Sequence, residues 1–305
     1  MISIIICSIN PERCKKTIDN LSETIGLECE VIVFDNRQYN WGICKVYNHC
    51  AEKAKYPYLC FVHEDVFIDT KEWGKKITEF VERTPKCGVV GFAGGCQIQK
   101  NISSWWAGET RMNIRDGYKG GNKEYLRRDY LNHRYDANPE GEYFSKVVCI
   151  DGLFQFVKKR IWEEIRYDEK TFKGFHFYDV DFSYAVSRRY HNYVILWNEV
   201  YHDSPGRTDN KEYIEGMFIF QEKWNKDLPK SIRSRGRINN LLAELNGAYR
   251  VLGYCKRARV GIKEYSKQIL KINGIGYFII ITMYLCVKIP LKIIIKTLTK
   301  IRRKK

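Results

Sequence analysis

Tyr58-Leu-Cys-Phe-Val-His-Glu-Asp-Val66 runs an apolar, β-type segment directly into a cluster of imidazole and carboxylates at His63, Glu64 and Asp65. Taken alone, the stretch also fits a buried strand followed by a solvated acidic turn. The order of elements around it separates the two. Ile2 to Cys7 is a short apolar run followed by Ser8, Asn10 and Pro11, a helix-start signal. Glu30 to Phe34 repeats the device and ends in Asp35-Asn36. Ile43, Val46, Tyr47, Cys50, Ala51 and Ala54 have the spacing of an amphipathic helix, and Trp73, Ile77, Phe80 and Val81 form a second such stripe. Cys87 to Phe92 gives a fourth strand. This β-α-β-α-β-α-β alternation predicts an α/β fold, a mostly parallel sheet with helices on its faces, whose ligands gather beyond the carboxyl ends of the strands. Ser8, Asp35 and Asp65 each stand just past such an end.

The residues at these ends carry a family likeness. Ile5 to Asn10, Val31 to Asn36, Gly42 to Asn48 and Phe61 to Asp65 resemble the nucleotide-binding half of GT-A-fold glycosyltransferases, closest to the inverting family 2 enzymes and their bacterial glycosyltransferase-like relatives. Val148 to Phe154, Lys158 to Trp162 and Gly174 to Phe182 are similar to the acceptor side of the same family. The resemblance implies a Rossmann-like GT-A catalytic domain over residues 1–228, with a nucleotide-sugar half at 1–95, an acceptor-side insertion at 96–146 and an acceptor or catalytic half at 147–228. It implies donor contacts at Ser8, Asn10, Asp35, Asn36, Asn48 and Glu64, a metal ligand at Asp65, and a general base at Asp179. It adds acceptor contacts at Asp151, Gly152 and Asp181. Two departures stand out. His63 replaces the first carboxylate of the family's Asp-x-Asp, and Tyr178 replaces a Glu before the base.

An inverting transfer needs a carboxylate to take the proton of an acceptor hydroxyl as its oxygen attacks the anomeric carbon, and positive charge for the departing diphosphate. Asp179 matches the first need and Asp65, with Mn2+ or Mg2+, the second. A helix N-cap and a surface carboxylate are the alternatives for the two residues. His202, within Glu199 to Ser204, matches a histidine that closes the site in many relatives, and imidazole ligation suits manganese better than magnesium. A structural or exposed histidine is the alternative there. UDP is the donor nucleotide implied by Asp35, with dTDP and GDP left open.

Between the halves the pattern turns polar and aromatic. Trp105, Trp106, Tyr118, Tyr125 and Tyr130 stand among Arg111, Arg115, Arg127 and Arg128, a composition suited to a sugar platform, a loop near phosphates or a satellite cluster. Charge marks another boundary near Asp227-Leu-Pro-Lys230. Residues 229–305 hold 19 Lys or Arg against 2 Asp or Glu, whereas the rest of the chain is nearly balanced. Ile272 to Val287 is uncharged and shorter than the ~20 residues of a typical span. Beyond Pro290, lysines recur at every fourth position opposite Leu291, Ile294, Ile295, Leu298 and Ile301. This helical, basic extension reads as a monotopic anchor on an anionic membrane surface through residues 272–305. A helix folded back on the catalytic domain and a tilted span are the alternatives.

Eleven cysteines without paired metal spacing, and Met1-Ile-Ser-Ile opening a strand rather than a signal peptide, predict reduced thiols in a cytoplasmic protein at the inner face of the plasma membrane. The expected function is transfer of a sugar from a nucleotide-sugar donor to a saccharide or lipid-linked saccharide acceptor in bacterial cell-surface polysaccharide synthesis. A catalytically idle nucleotide-sugar-binding relative and a nucleic-acid-associated module acting through Arg233, Arg235 and Arg237 are the competing readings. Few aromatic residues in the tail stand ready to stack bases, which disfavours nucleic acid.

Overall fold

The computed structural model describes residues 1–102, 104–116, 143–197, 200–204, 210–234 and 236–302. β1 (Ile2–Ser8), α1 (Pro11–Thr24), β2 (Cys29–Asp35), α2 (Ile43–Lys53), β3 (Tyr58–Val62), β4 (Val66–Ile68), α3 (Trp73–Arg83) and β5 (Cys87–Gly91) follow one another, so only the short β4 interrupts the alternation. Next come β6 (Ala93–Gly95), β7 (Gln97–Ile98), β8 (Thr110–Met112), β9 (Arg115–Asp116), β10 (Phe144–Val147), β11 (Cys149–Ile150), β12 (Phe154–Lys158) and α4 (Lys159–Glu164). The chain continues through α5 (Tyr178–Val186), β13 (His191–Ile195), β14 (Val200–His202), α6 (Lys211–Trp224), β15 (Lys230–Ser231), α7 (Arg237–Arg257) and α8 (Ile262–Arg302).

Local chemistry explains the first elements. Ile2, Ile4, Ile5 and Ile6 are fully buried, as an apolar strand must be when β2 and β3 pair on either side and helices cover both faces. Asn10 caps α1, its Oδ1 accepting the Arg13 amide at 3.1 Å, and Pro11 follows where the helix has no amide partner to lose. Helix α2 buries Ile43, Val46, Tyr47, Cys50 and Ala51, and α3 buries Trp73, Ile77 and Val81, the stripes that the periodicity picked out. Burying each of these larger side chains contributes about 1.5–3 kcal/mol.

The central sheet has the order β10-β13-β5-β12-β3-β1-β2. Five strands point one way, and β10 and β12 run against them. Strand β12 is the one that matters for function, because it enters antiparallel between β3 and β5 with Phe154 opposite Val62. Its amino end therefore meets the carboxyl end of β3, and the His63 amide donates to Leu153 O at 3.0 Å. A second register sets the other wall: β14 pairs antiparallel with β4, His202 opposite Val66, and the Asp203 amide donates to Asp65 O at 2.9 Å. Asn192, fully buried on β13, accepts from the Val89 amide and donates to Val148 O and Ser183 O, tying two strands to α5. Leaving such buried partners unsatisfied costs about 1–3 kcal/mol each.

The helical extension is bonded to this body. β15 pairs with β7, and buried Glu244 of α7 accepts the Lys100 and Asn101 amides at 2.7 and 2.9 Å. Tyr265 Oη donates to Ala248 O at 2.6 Å, holding α8 on α7, and Lys271 pairs with Glu222 of α6 at 2.7 Å. The sequence suggested a new helix beyond Pro290. In the structure α8 runs past Pro290, and its non-helical residue is Gly274, with φ 74°. A glycine reaches that left-handed backbone without a Cβ clash.

Candidate active site

A cavity of about 580 Å³ opens where the two registers meet. Its walls combine Asn36, His63, Glu64 and Asp65 from the first half, Trp105 and Trp106 from the insertion, Asp151, Gly152 and Asp179 from the second half, and His202. Residues far apart in the chain thus share one space, as expected at the carboxyl ends of the strands.

Glu64 organises one rim. Its Oε2 accepts Ser8 Oγ at 2.6 Å and the Ile9 and Asn10 amides at 3.1 and 3.0 Å, while Oε1 pairs with Arg13 at 3.1 Å. With its acceptor sites engaged, Glu64 is a strap for the β1–α1 turn, and Ser8 and Asn10 are occupied in that same strap.

Asp65 stands differently. It is 8% exposed, its Oδ2 lies 3.6 Å from Arg13 Nη1, and its Oδ1 is buried without a hydrogen bond, 3.4 Å from His202 Nε2. His63, Asp65 and His202 each present one ligand atom within 4.8 Å of the others. Burial raises and the neighbouring His202, His63 and Arg13 lower the Asp65 pKa, with a net downward result that keeps it ionised. Burial pushes the His63 imidazole down to about 4, against the pull of Asp65, so it is neutral at physiological pH. One carboxylate and two imidazoles around an unsatisfied oxygen fit a divalent transition metal, manganese better than magnesium.

The two departures from the family pattern touch each other. Tyr178 Oη donates to Gly152 O at 3.1 Å and lies 2.7 Å from His63 Nε2. Tyr178 thus fixes the orientation of the His63 imidazole beside Asp65 and His202. Tyr178→Phe is expected to weaken Mn2+ binding about tenfold, read by calorimetry, since losing such an orienting partner costs about 10–100-fold in affinity. Unchanged affinity would remove this role from Tyr178.

Asp179 lies in the first turn of α5, where a carboxylate is favoured by the helix dipole. Its Oδ2 accepts the Gly152 amide at 2.8 Å, so its partner is across the cavity floor. Burial, then the charge of Asp151, pushes Asp179 up to about 7. Asp151 itself accepts Trp105 Nε1 at 2.6 Å and the Leu153 amide at 2.9 Å. Only glycine fits at 152, because a Cβ there would lie 2.1 Å from Tyr178 Oη. Just before α5, Phe177 takes φ 64°, a left-handed backbone that costs a non-glycine residue about 1–3 kcal/mol and is concentrated at functional sites.

Five expected site residues do not line the cavity: Ser8 and Asn10, held in the Glu64 strap, and Asp181, Asn48 and Asp35. Asp181 is buried against Lys223 Nζ and Trp224 Nε1, both at 2.7 Å, which ties α5 to α6 and turns it from the cavity. Asn48 donates to Tyr167 O and Glu169, and accepts Trp162 Nε1. Asp35 is exposed at the end of β2 and held by Arg37, whose hydrogen bonds pull it down to about 2. Its neighbour Asn36 does reach the cavity and locks the following turn through both Trp41 N and O at 2.8 Å. Tyr118, Tyr125, Tyr130, Arg127, Arg128, Glu199 and Arg235 fall outside the described residues. Sequence reasoning missed Arg13, Phe175, Tyr213, Tyr254 and Arg257, which also line the cavity. The left-handed Phe177 and the Asn10 cap are structural signals beside two of them; nothing in the spacing pointed to the last two, which come from α7.

Comparisons with known proteins bear on the family and the fold. Residues 3–222 match the model of the "Glycosyltransferase like family". No curated protein matches. In fold the chain is similar to residues 1–349 of S. aureus TarS in complex with UDP, with a TM-score of 0.51 and 14% identity over 91% of this chain and 80% of that one. It is also similar to the mannosyltransferase PcManGT from Pyrobaculum calidifontis in complex with GDP-Man and Mn2+, with a TM-score of 0.49 and 10% identity over 94% and 87%. The sheet, the motifs at its strand ends and the match over residues 3–222 lead to one assignment: the chain belongs to the glycosyltransferase-like family and has the GT-A fold.

Proposed function

We propose that this protein is a metal-dependent, inverting glycosyltransferase that moves a sugar from a nucleoside-diphosphate donor, UDP-linked in the first instance, to a saccharide hydroxyl. The observation that carries the reading is the meeting of the His63–Asp65–His202 set and the Asp151–Asp179 pair in one cavity. A carboxylate whose pKa is raised toward neutrality is a stronger base than an ordinary one and is still ionised when needed. Asp179 takes the proton from the acceptor hydroxyl as that oxygen attacks the anomeric carbon, while the nucleoside diphosphate departs from the opposite face. The Gly152 amide fixes the carboxylate, and Asp151, bridged to Trp105, holds the acceptor side of the cavity. His63, Asp65 and His202 would hold a divalent cation, which when bound supplies positive charge to the diphosphate. Trp106 and Phe175 offer apolar walls for a sugar ring.

Calorimetric titration of the full chain with UDP, GDP, CDP and dTDP, each with and without Mn2+, tests the reading. Binding of one nucleotide in the micromolar to submillimolar range, lost without the metal, is the expected result. Absence of binding by all four would overturn it.

A further inference from the structure

The extension carries an apolar surface that the catalytic reading does not use. After Gly274, α8 exposes Ile275, Ile279, Met283 and Val287 on successive turns, at 73, 52, 66 and 69%, with Ile280 beside them at 44%. The other side of the same helix is committed. Ile281 is buried, Tyr284 Oη donates to Asn246 Oδ1 at 2.8 Å, and Lys288 and Lys292 stand over the Tyr249 ring of α7. One face is therefore held by protein while the opposite face offers branched and sulfur-containing side chains to the outside.

We infer that this stripe is a docking face for an anionic lipid bilayer, in which α8 lies along the interface and does not cross it. Ile262–Pro290 is long and apolar enough to span by length and composition alone. A lone span meets lipid on every side, whereas here the face with Tyr284 and Lys288 bonds to Asn246 and packs against Tyr249 of α7. Charge selects the occupant. The segment 229–305 carries 19 basic and 2 acidic residues, complementary to acidic headgroups, whereas a second copy of the same basic segment would repel it. The geometry adds a consequence. Helix α7, on which α8 packs, brings Tyr254 and Arg257 into the cavity wall, the guanidinium lying 4.4 Å from the Tyr254 ring. Docking through α8 thus holds the cavity near the bilayer and favours a lipid-linked saccharide as acceptor, a point that rests on the transferase reading.

Cosedimentation of the full chain with vesicles of phosphatidylcholine alone, or of equal parts phosphatidylcholine and phosphatidylglycerol, tests the inference. The wild type is expected to bind the anionic vesicles selectively, and the Ile279→Asp, Met283→Asp double variant to lose at least about tenfold in partition, because both side chains are exposed and their burial in lipid drives binding. Retained nucleotide binding by the variant would show that it is folded. Equal binding of both proteins overturns the inference, as does equal binding to the two vesicle types. So does a lipid-free dimer that the double variant dissociates, which would assign the stripe to a second copy. Failure of both proteins to bind any nucleotide would remove the transferase reading while leaving the vesicle result to stand by itself.

Discussion

Asp179→Asn is expected to lower turnover by about a thousandfold or more while leaving nucleotide affinity near that of the wild type. Asparagine keeps the size of the side chain, and its carbonyl oxygen still accepts the Gly152 amide that Asp179 Oδ2 accepts at 2.8 Å. What it loses is the ability to take a proton. The same residue is expected to set the pH profile. Burial and the Asp151 charge raise Asp179, so the protonated, inactive form extends to about pH 7. Turnover should therefore fall roughly tenfold per unit below that point and level off above it. An Asp179→Asn enzyme that keeps its turnover and its acid limb would transfer the base role to Asp151, which Asp151→Asn would then abolish.

Asp65→Ala is expected to abolish metal-dependent nucleotide binding, a loss on the order of a hundredfold or more in Mn2+ affinity. The reason is charge. Asp65 is the only anionic member of the His63–Asp65–His202 set, and its Oδ1 is buried without a hydrogen bond, so nothing else in the set neutralises a divalent ion. The fold should survive, because Arg13 keeps its 3.1 Å pairing with Glu64 and the 2.9 Å bond from the Asp203 amide runs to the Asp65 backbone. Titration of the variant with Mn2+ and UDP decides it. Affinity equal to the wild type would show that the diphosphate charge is met elsewhere, with Arg257 and Arg13 as the cavity's cations.

The contrast between Asp65 and Glu64 shows where sequence reading reaches its limit. Both are carboxylates after one strand, and their order in the chain does not say which one is spent on the backbone. Four donors from the β1–α1 turn converge on Glu64, and that convergence comes only with the pairing of β1 and β3. Asp179 and Asp181 divide in the same way. They lie two residues apart in the first turn of α5, so they point in different directions, one to the cavity and one to Lys223 and Trp224 of α6.

By itself the sequence determined the local elements and their order. Apolar runs, helical stripes, the Asn10 cap and the residues just past each strand end are short-range properties, and the family likeness rests on them. It also placed the charge asymmetry, since that is a matter of counting. Tertiary structure decided which of those residues share a space. The antiparallel entry of β12 beside β3 put Gly152 and Asp179 next to His63, and the pairing of β14 with β4 put His202 next to Asp65. It likewise brought α7 to the cavity wall through Glu244 and β15. Strand register and helix docking are set by the packing of many distant side chains at once, and no local pattern of residues encodes them.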